Sequence, residues 1–232
     1  MLITYGLITF ALLLMRHLNS YNVFYSSFAR MKRWIVFVLF ALNSSLLVAQ
    51  KTNVINPVID TVKAKWGKIK IVDGTAMISS NDIIENMALS KEYTTLINAI
   101  NAADLTETFK SKGPITVFAP TNQAFNKLPA GTLDSLLKPD HKLDLNYLLT
   151  YHAIAGRVSA RDIEKKINSN NGEATFTTIA GSKLTAKIDT NHNIILIDEN
   201  GGESVISKFD VQQSNGLLHV VNSVLIPKPK AI

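Results

Sequence analysis

The segment TVFAPTNQAF, residues 116–125, changes from strand character to helix character within a few positions. Its first three residues are β-branched or aromatic, which is typical of a buried strand. Pro120 then removes a backbone donor, and Thr121 or Asn122 can cap a helix, so the segment predicts a strand-to-helix turn. Thr121 has no histidine close by in the sequence that could activate its hydroxyl group as a nucleophile. We therefore interpret the turn as structural rather than catalytic.

Residues 1–49 have the composition of a targeting segment. Met31 is followed by Lys32 and Arg33, and then by the apolar run WIVFVLFALNSSLLV. A basic start, an apolar run and small residues before a cleavage site are typical of a secretory signal peptide. We expect translation to begin at Met31 and the protein to be secreted, periplasmic or at the cell surface. Residues 2–15 are apolar but shorter than a spanning helix of roughly 20 residues, so a short membrane anchor or a long signal sequence is the alternative.

The net positive charge is concentrated in the same segment. Of 24 Lys and Arg and 18 Asp and Glu residues, four basic and no acidic ones lie within residues 1–49. Residues 50–232 therefore carry 20 basic and 18 acidic side chains. This balance argues against a nucleic-acid partner, since phosphate binding needs a dense basic surface. The run VKAKWGKIK, residues 62–70, is interpreted as a solvated leader, with a contact to a surface or polyanion as the alternative.

The mature chain is predicted to contain a leader and one domain. Residues 50–71 show little periodicity and are expected to form an extended leader or linker, which could add an edge strand through Ile69 and Ile71. Compact structure is expected to begin near Asn81, within a domain that spans residues 72–228. About 180 residues are enough for one hydrophobic core. The absence of cysteine means that this core must stabilise the fold without disulfides.

Hydrophobic spacing divides the domain into a helical half and a strand half. Apolar residues recur at helical spacing in the first half, and SARD, residues 159–162, predicts a capping box at the start of a further helix. After Asn170 the period changes to two, and pairs such as Asn171-Gly172 separate short strands. One such strand is expected to place Val205, Phe209 and Val211 on one face. The pattern predicts an α+β fold, with helices packed on a mostly antiparallel sheet system.

Tyr151 and His152 are the candidate partner-binding residues. They occur in LLTYHAIAGRVSA. Adjacent strand residues point to opposite faces, so one of the pair is expected in the core and the other at the surface. A histidine in such an apolar context is more often a hydrogen-bonded packing residue than a ligand or a base, and the same holds for His219 in LLHVV.

No other constellation predicts chemistry. The four histidines after residue 49 are not at metal-ligand spacing, so no metal site and no cofactor is expected. Asp198, Glu199 and Glu203 flank a Gly-Gly turn and could hold calcium, but their spacing differs from an EF-hand loop and a solvated hairpin tip is the preferred interpretation. Paired catalytic carboxylates and triad signatures are also missing, so an enzyme is not expected.

Three segments together resemble the conserved blocks of the fasciclin (FAS1, beta-ig-h3) domain family, in its small secreted bacterial type. These are TVFAPTNQAF, YHAIAGRVSA and NGLLHVVNSVLIP, in that order and spacing. The resemblance extends over about residues 72–227 and implies a wedge of β-sheets with helices packed around it. It also implies that a set of motif positions has a structural role; these are Thr116, Phe118, Ala119, Pro120, Thr121, Asn122, Phe125, Gly216, His219 and Pro227.

The resemblance implies a non-enzymatic adhesion module outside the cell that associates with matrix, with protein or glycan on a cell or matrix surface as the partner. In animal members the Tyr-His region contributes to integrin binding, and Tyr151 and His152 are the matching positions. A membrane is expected to be contacted only through the signal segment before cleavage. The alternative is an envelope carrier of a small molecule or lipid, which would use an apolar groove between the helices and the wedge.

Overall fold

The computed structural model describes residues 67–111 and 113–229. They belong to a compact unit that spans Asp60–Ile232. The predicted signal segment, the start at Met31 and residues 50–66 of the leader lie outside the described residues, so these expectations stay predictions. Within the described part of the chain, no helix is both long enough and apolar enough to cross a membrane.

The described chain contains short helices in its first half and most of its strands in its second half. The strands are β1 (Ile69–Val72), β2 (Thr75–Ile78), β3 (Ile115–Pro120), β4 (Ala153–Ala155), β5 (Glu173–Thr177), β6 (Lys183–Ile188), β7 (Ile194–Ile197), β8 (Glu203–Gln213) and β9 (Gly216–Val221). The α-helices are α1 (Ile83–Ala88), α2 (Thr94–Ala102), α3 (Thr106–Lys110), α4 (Asn122–Phe125), α5 (Thr132–Leu136), α6 (Lys142–Tyr151) and α7 (Ala160–Ser169). This distribution confirms the α+β class.

Seven strands form one sheet in the order β4-β3-β9-β8-β7-β6-β5. Its neighbouring strands are antiparallel except for β3 and β9, which run parallel from Ile115↔Gly216 to Pro120↔Val221. The two ends of the sheet meet, because Ile154 of the terminal strand β4 forms a bridge with Thr178, just past the other terminal strand β5. The amide of Ile179 also donates to the carbonyl of Ala153 at 2.7 Å. The sheet is therefore almost closed into a barrel.

The pair β3–β9, here called the central ladder, is buried on both faces. Every residue of both strands is buried, which explains why their sequences are apolar without polar alternation. Alternate residues point into two hydrophobic clusters on opposite sides. Val117 and Leu218 belong to the helical core, whereas Phe118 and Val221 belong to the sheet core.

The helical core joins the helices of the first half to one face of the central ladder, and the sheet core lies among strands β5–β8 and α7. The largest fully buried members of the helical core are Tyr93, Met77, Ile83, Met87, Ile100, Leu145 and Leu149, and those of the sheet core are Tyr151, Phe118, Ile163, Ile167 and Leu184. Both cores are built from residues 72–225. A chain that begins at residue 50 therefore contains every residue of the two described cores.

The strand expected through Ile69 and Ile71 exists as one arm of a hairpin. β1 pairs with β2 in a separate two-stranded antiparallel sheet. Asn86 of α1 anchors this hairpin: its Nδ2 donates to the carbonyl of Ile78 at 2.8 Å and its Oδ1 accepts from the Ile78 amide at 2.9 Å. Ordered structure thus begins before Asn81, and the expected domain boundary at residue 72 falls inside the hairpin.

The turn after β3 has a structural role in the observed fold. Thr121 is the N-cap of α4, and its hydroxyl oxygen accepts from the Ala124 amide at 3.3 Å. Asn122 instead ties α4 to the start of α2, since its Oδ1 accepts from the Thr95 amide at 3.0 Å and its Nδ2 donates to the Lys91 carbonyl at 2.8 Å. The predicted capping box at Ser159 is also present, at the start of α7.

One strand departs from the predicted alternation. The register of β8 against β9 shifts twice between Ile206 and Val211, and Asp210 has a positive φ of 55°. These bulges reverse the side-chain direction locally, so Phe209 is exposed while Val211 is fully buried. The expectation that Val205, Phe209 and Val211 share one face is therefore wrong, because period two assumes a strand without bulges.

Candidate functional site

Tyr151 and His152 lie at the end of helix α6 and not within a strand. Tyr151 is the last residue of α6 and His152 is its C-cap. Both side chains are buried, with 0% and 3% of their surface exposed. The expectation that the two point to opposite faces of a strand is wrong, because the helix continues through the segment and β4 begins only at Ala153. A partner cannot reach either side chain directly in this structure.

His152 joins α6 to the carboxyl-terminal part of the domain. Its Nδ1 lies 2.8 Å from the Leu148 carbonyl, and its Nε2 lies 3.0 Å from the Leu225 amide. A carbonyl can only accept and an amide can only donate, so Nδ1 carries the proton and Nε2 is the acceptor. Burial lowers the pKa of His152 to about 4, and the bond to Leu148 opposes this shift. The imidazole is therefore neutral at pH 7 and has both nitrogens occupied.

Tyr151 fixes the same helix end to the sheet. Its hydroxyl donates to the Lys183 carbonyl in β6 at 2.8 Å, and its ring packs edge-on against His152 with centroids 6.5 Å apart. Burial, followed by the nearby Glu199 carboxylate, raises the pKa of the Tyr151 phenol. The phenol is therefore a neutral hydrogen-bond donor at physiological pH.

Residues 222–229, here called the strap, follow β9 without regular secondary structure. The amide of Asn222 still donates to the Val205 carbonyl of β8 at 3.2 Å, whereas four later amides of the strap bond to side chains from other parts of the chain. The amide of Ser223 donates to Ser204 Oγ at 3.0 Å, that of Leu225 to His152 Nε2, that of Ile226 to Asp198 Oδ2 at 2.9 Å and that of Lys228 to Glu199 Oε2 at 3.1 Å. Three of these four acceptors belong to titratable side chains.

The Gly-Gly turn between β7 and β8 anchors the strap. Asp198 is buried, and its Oδ1 accepts from the amides of Asn200 at 2.9 Å and Gly202 at 2.7 Å. Its Oδ2 is used by Ile226, so backbone amides occupy both oxygens of this carboxylate. The interpretation of a solvated hairpin tip is therefore wrong for Asp198. Within residues 67–111 and 113–229, no group of three acidic or histidine side chains has an arrangement that could hold a metal ion.

An apolar groove of about 240 Å³ runs between α5, α6 and the strap. Leu148 of α6 forms one wall, and Val224 and Ile226 of the strap form the other. The remaining lining residues are Leu128, Thr132, Leu136, Asp144, Tyr147, Pro227 and Pro229. His152 bonds to Leu148 on one side and to Leu225, between Val224 and Ile226, on the other. The buried His152 side chain thus connects the two walls of the groove.

His219 of β9 makes a second crosslink of this kind. Its Nε2 donates to the Val158 carbonyl at 2.9 Å, and its Nδ1 accepts from the Asp210 amide at 3.3 Å. The ring stacks on Phe118 with centroids 5.6 Å apart, and burial lowers its pKa. Because the nitrogens of both buried histidines are bound to backbone groups, neither ring is free to act as a general base.

The other motif positions serve packing and backbone geometry. The Thr116 hydroxyl donates to the Gly156 carbonyl at 2.7 Å and accepts from the Val158 amide at 2.9 Å, which fixes the loop after β4. A Cβ at Gly216 would overlap the carbonyl oxygen of Ile115, so the close approach of β9 to β3 requires glycine. Ala119, Pro120 and Phe125 are buried core residues, and Pro227 lines the groove.

Comparison with known proteins assigns this architecture. The Fasciclin domain profile matches residues 91–227, which is more than half of the chain. The chain belongs to the fasciclin family. It is 37% identical over 160 residues to Protein sll1483 of Synechocystis sp., covering 69% of this chain and 81% of that protein. It is 35% identical over 156 residues to Cell surface glycolipoprotein MPB83 of Mycobacterium bovis, covering 67% of this chain and 61% of that protein.

More distant fasciclin relatives are longer proteins. The chain is 25% identical over 170 residues to Transforming growth factor-beta-induced protein ig-h3 of Sus scrofa but spans only 22% of its length. Among solved structures, it resembles a FAS1 domain pair from the insect cell adhesion molecule Fasciclin I, with a TM-score of 0.55 and 13% identity over 70% of this chain and 58% of that one. This likeness confirms the expected fasciclin-like fold, in which helices pack around the sheets.

The sequence identified Tyr151 and His152 as candidates but did not locate the groove, since the carrier alternative placed an apolar groove between the helices and the wedge without naming its residues. His152 bonds to Leu225, and Pro227 lines the groove, whereas the sequence placed Asp198 and Glu199 only in a solvated hairpin tip. No local signal links these carboxylates to residues 226–228, because the contact depends on how the β7–β8 turn wraps around the strap. Only the amide-rich turn sequence DENGG indicated that Asp198 could accept backbone hydrogen bonds.

Proposed function

We propose that this fasciclin chain is an exported, non-enzymatic adhesion module that binds protein or glycan on a cell or matrix surface. Family membership supports this function: one relative is named as a cell surface glycolipoprotein, and the structural neighbour comes from a cell adhesion molecule. The apolar start of the sequence supports export. The observation that carries the proposal is the groove between α6 and the strap. It is open and apolar, and the motif residue Pro227 lines it.

The size of the groove favours a macromolecular partner. Its volume of about 240 Å³ is below the roughly 300–1,000 Å³ typical of small-molecule sites. A groove of this size accepts one or two apolar side chains of a protein surface, or the apolar face of one sugar. Individual contacts of this kind are weak, and many copies on a surface can add them into useful avidity.

Tyr151 and His152 act indirectly in this proposal. They keep the strap in place and so shape the groove that the partner contacts. If a variant of either buried residue lost adhesion, the cause could be lost stability rather than a lost contact with the partner. Ile226, which lines the groove and is 40% exposed, is a better probe of contact.

The test is adhesion of cells, matrix and glycan surfaces to immobilised residues 50–232 and to an Ile226→Ser variant. Ile179→Ser is the matched control, because Ile179 is 42% exposed and lies outside the groove lining. We expect Ile226→Ser to weaken adhesion severalfold and Ile179→Ser to leave it unchanged, at equal melting temperatures. Equal adhesion of all three proteins would remove the groove from the proposal, and a wild-type protein that binds no surface at micromolar concentration would reject the function.

A second function is carriage of a lipid or small apolar molecule in the envelope. The lining of the groove, formed mainly by leucine, valine, isoleucine and proline side chains, supports it. Its volume corresponds to roughly eight water molecules, which fits a short acyl segment rather than a whole lipid. Native mass spectrometry of protein purified from its own host tests this function: a co-purifying lipid that is lost in Ile226→Ser supports it, and an empty protein in gentle detergent-free conditions argues against it.

A further inference from the structure

The strap covers both hydrophobic cores, yet side chains rather than a strand ladder hold it in place. Val224 is buried in the helical core and Leu225 in the sheet core. From Ser223 onward, each of its four bonded amides donates to a side chain. Side-chain donors also hold two strap carbonyls, those of Ser223 and Ile226. The strap can therefore separate from the domain beyond Asn222 without breaking a strand pair of the sheet.

His152 is the strap anchor whose hydrogen bond depends directly on a proton. The neutral imidazole donates from Nδ1 to the Leu148 carbonyl and accepts at Nε2 from the Leu225 amide. Protonation adds a hydrogen to Nε2, so two donors then face each other and the bond to Leu225 is lost. The bond from Nδ1 to α6 remains. Uptake of one proton therefore acts on the strap rather than on the helix that carries the histidine.

The surroundings of His152 keep the ring neutral while the strap is closed. Burial lowers its pKa to about 4, although the Leu148 carbonyl and the Asp198 carboxylate both favour the protonated form. Two titratable groups of the described chain face the ring: Asp198 from the β7–β8 turn, and Tyr151 of α6, which packs on it edge-on. Glu199 of the same turn raises the pKa of the Tyr151 phenol. An open strap exposes the imidazole to water, where its pKa is about 6.5.

The difference between these two pKa values gives the direction and size of the response to acid. Below pH 6.5 the open strap binds more protons than the closed strap, so opening becomes more favourable as the pH falls. Between pH 7 and pH 5 the equilibrium constant for opening should rise about 20-fold. His219 does not serve the strap in this way, because its accepting Nδ1 bonds to the Asp210 amide in β8.

We propose that the strap is an acid-released latch: protonation of His152 frees residues 223–229 from the domain while the central ladder stays paired, and the groove loses one wall. Opening removes Val224 and Ile226 from the groove lining, so a bound partner loses part of the surface that it contacts. Release of a partner rests on the proposed function of the groove, whereas the opening of the strap does not.

The test is thiol labelling of single-cysteine variants of residues 50–232, because the chain contains no cysteine. Val224→Cys reports on the strap and Val220→Cys on the central ladder, and both positions are buried. The labelling rate with 4,4′-dithiodipyridine in urea, divided by the rate in buffer at the same pH, gives a protection factor that is corrected for thiol ionisation. We expect lower protection for Val224→Cys than for Val220→Cys at every pH. Protection of Val224→Cys should also fall about 20-fold between pH 7 and pH 5.

The two buried histidines provide a matched pair of controls. His152→Gln, added to Val224→Cys, should abolish this fall in protection, because no titrating group then faces the Leu225 amide. His219→Gln should preserve it, because His219 bonds to Val158 and Asp210 instead of the strap. Equal protection of the two cysteine variants at each pH would overturn the latch, and this comparison needs no histidine substitution. A fall that survives His152→Gln would also overturn it.

Adhesion separates the latch from the proposed function. From a surface that binds the wild type at pH 7, the wild type and His219→Gln should dissociate faster at pH 5, and His152→Gln should dissociate at the same rate at both pH values. Unchanged dissociation of the wild type, despite a measured opening of the strap, would overturn the regulation of the groove. If no surface binds at pH 7, the adhesion function is rejected and the labelling alone decides the latch.

Discussion

The central ladder and the strap are consecutive parts of the chain, yet different interactions hold them. β9 is bonded through its backbone to β3 on one side and to β8 on the other. The strap follows directly, and beyond Asn222 its amides bond to the side chains of Ser204, His152, Asp198 and Glu199. The hydrogen bonds of the ladder join backbone amides and carbonyls, so none of these bonds contains a titratable group. The strap depends on a few distant side chains, so the groove wall is the part of this region that mutation and acid can loosen first.

The largest expected effect comes from the central ladder. Gly216→Val places side-chain atoms where the Ile115 carbonyl oxygen lies, so β9 cannot approach β3 without a backbone shift. Overpacking alone costs about 1–3 kcal/mol, and displacement of a central strand pair should add to that. We expect the free energy of unfolding, measured by urea denaturation, to fall by more than about 3 kcal/mol. At Gly172 a Cβ meets no atom within 4 Å but φ is 89°, so Gly172→Ala should cost only the backbone strain of a positive φ, about 1–2 kcal/mol. A smaller loss at Gly216 than at Gly172 would contradict the assigned role of the ladder.

The next largest effect should follow removal of the strap anchor. Asp198→Ala deletes three hydrogen bonds to a carboxylate, each typically worth about 1.5–3 kcal/mol. Partial replacement by water reduces the sum, so we expect a loss of about 3 kcal/mol in unfolding free energy. Hydrogen exchange should show faster exchange at Ile226 than at Val220, because the ladder remains. Uniform acceleration across both would mean that strap and ladder unfold together.

Acid should weaken the molecule through His152. Its pKa is about 4 in the folded chain, compared with about 6.5 when unfolded. Below pH 6.5 the unfolded state binds more protons, so stability falls as the pH decreases toward 4 and is constant above the unfolded pKa. Between pH 7.5 and pH 5 we expect His152 to remove about 2 kcal/mol, measured by urea unfolding at each pH. His219 contributes with the same sign, since burial also lowers its pKa.

A matched variant separates the two histidines. His152→Gln removes the titrating side chain that binds the strap while leaving His219, so the loss of about 2 kcal/mol assigned to His152 between pH 7.5 and pH 5 should disappear. A pH profile unchanged by His152→Gln would show that the strap anchor does not titrate in this range.

The smallest effect is expected for Tyr151→Phe. It removes only the hydroxyl that donates to the Lys183 carbonyl at 2.8 Å, and the ring remains packed in the sheet core. We expect a loss of about 1 kcal/mol and an unchanged groove, measured by thermal unfolding and by adhesion of the same variant. A loss of adhesion at unchanged stability would instead make the phenol part of the contact surface.

The same contrast explains what the sequence could predict. The strands of the central ladder could be predicted, because a strand buried on both faces has an unbroken apolar sequence, as in TVFAP and LLHVV. Thr121 was recognisable as a cap because capping is local. The burial of both Tyr151 and His152 could not be predicted. The helix ends only one residue before the strand begins, so the sequence shows no change of hydrophobic period there. The exposure of Phe209 also depended on bulges that only pairing with β9 defines.

The near-closure of the sheet at Ile154 and Thr178 has a consequence for crowded surfaces. An open sheet presents a row of unpaired amides and carbonyls that can template another chain. Here the terminal strands β4 and β5 approach each other, and the Ile179 amide is bound to Ala153 across the gap. The seven-stranded sheet therefore has little open edge through which copies of the domain at high local density could pair into fibrils.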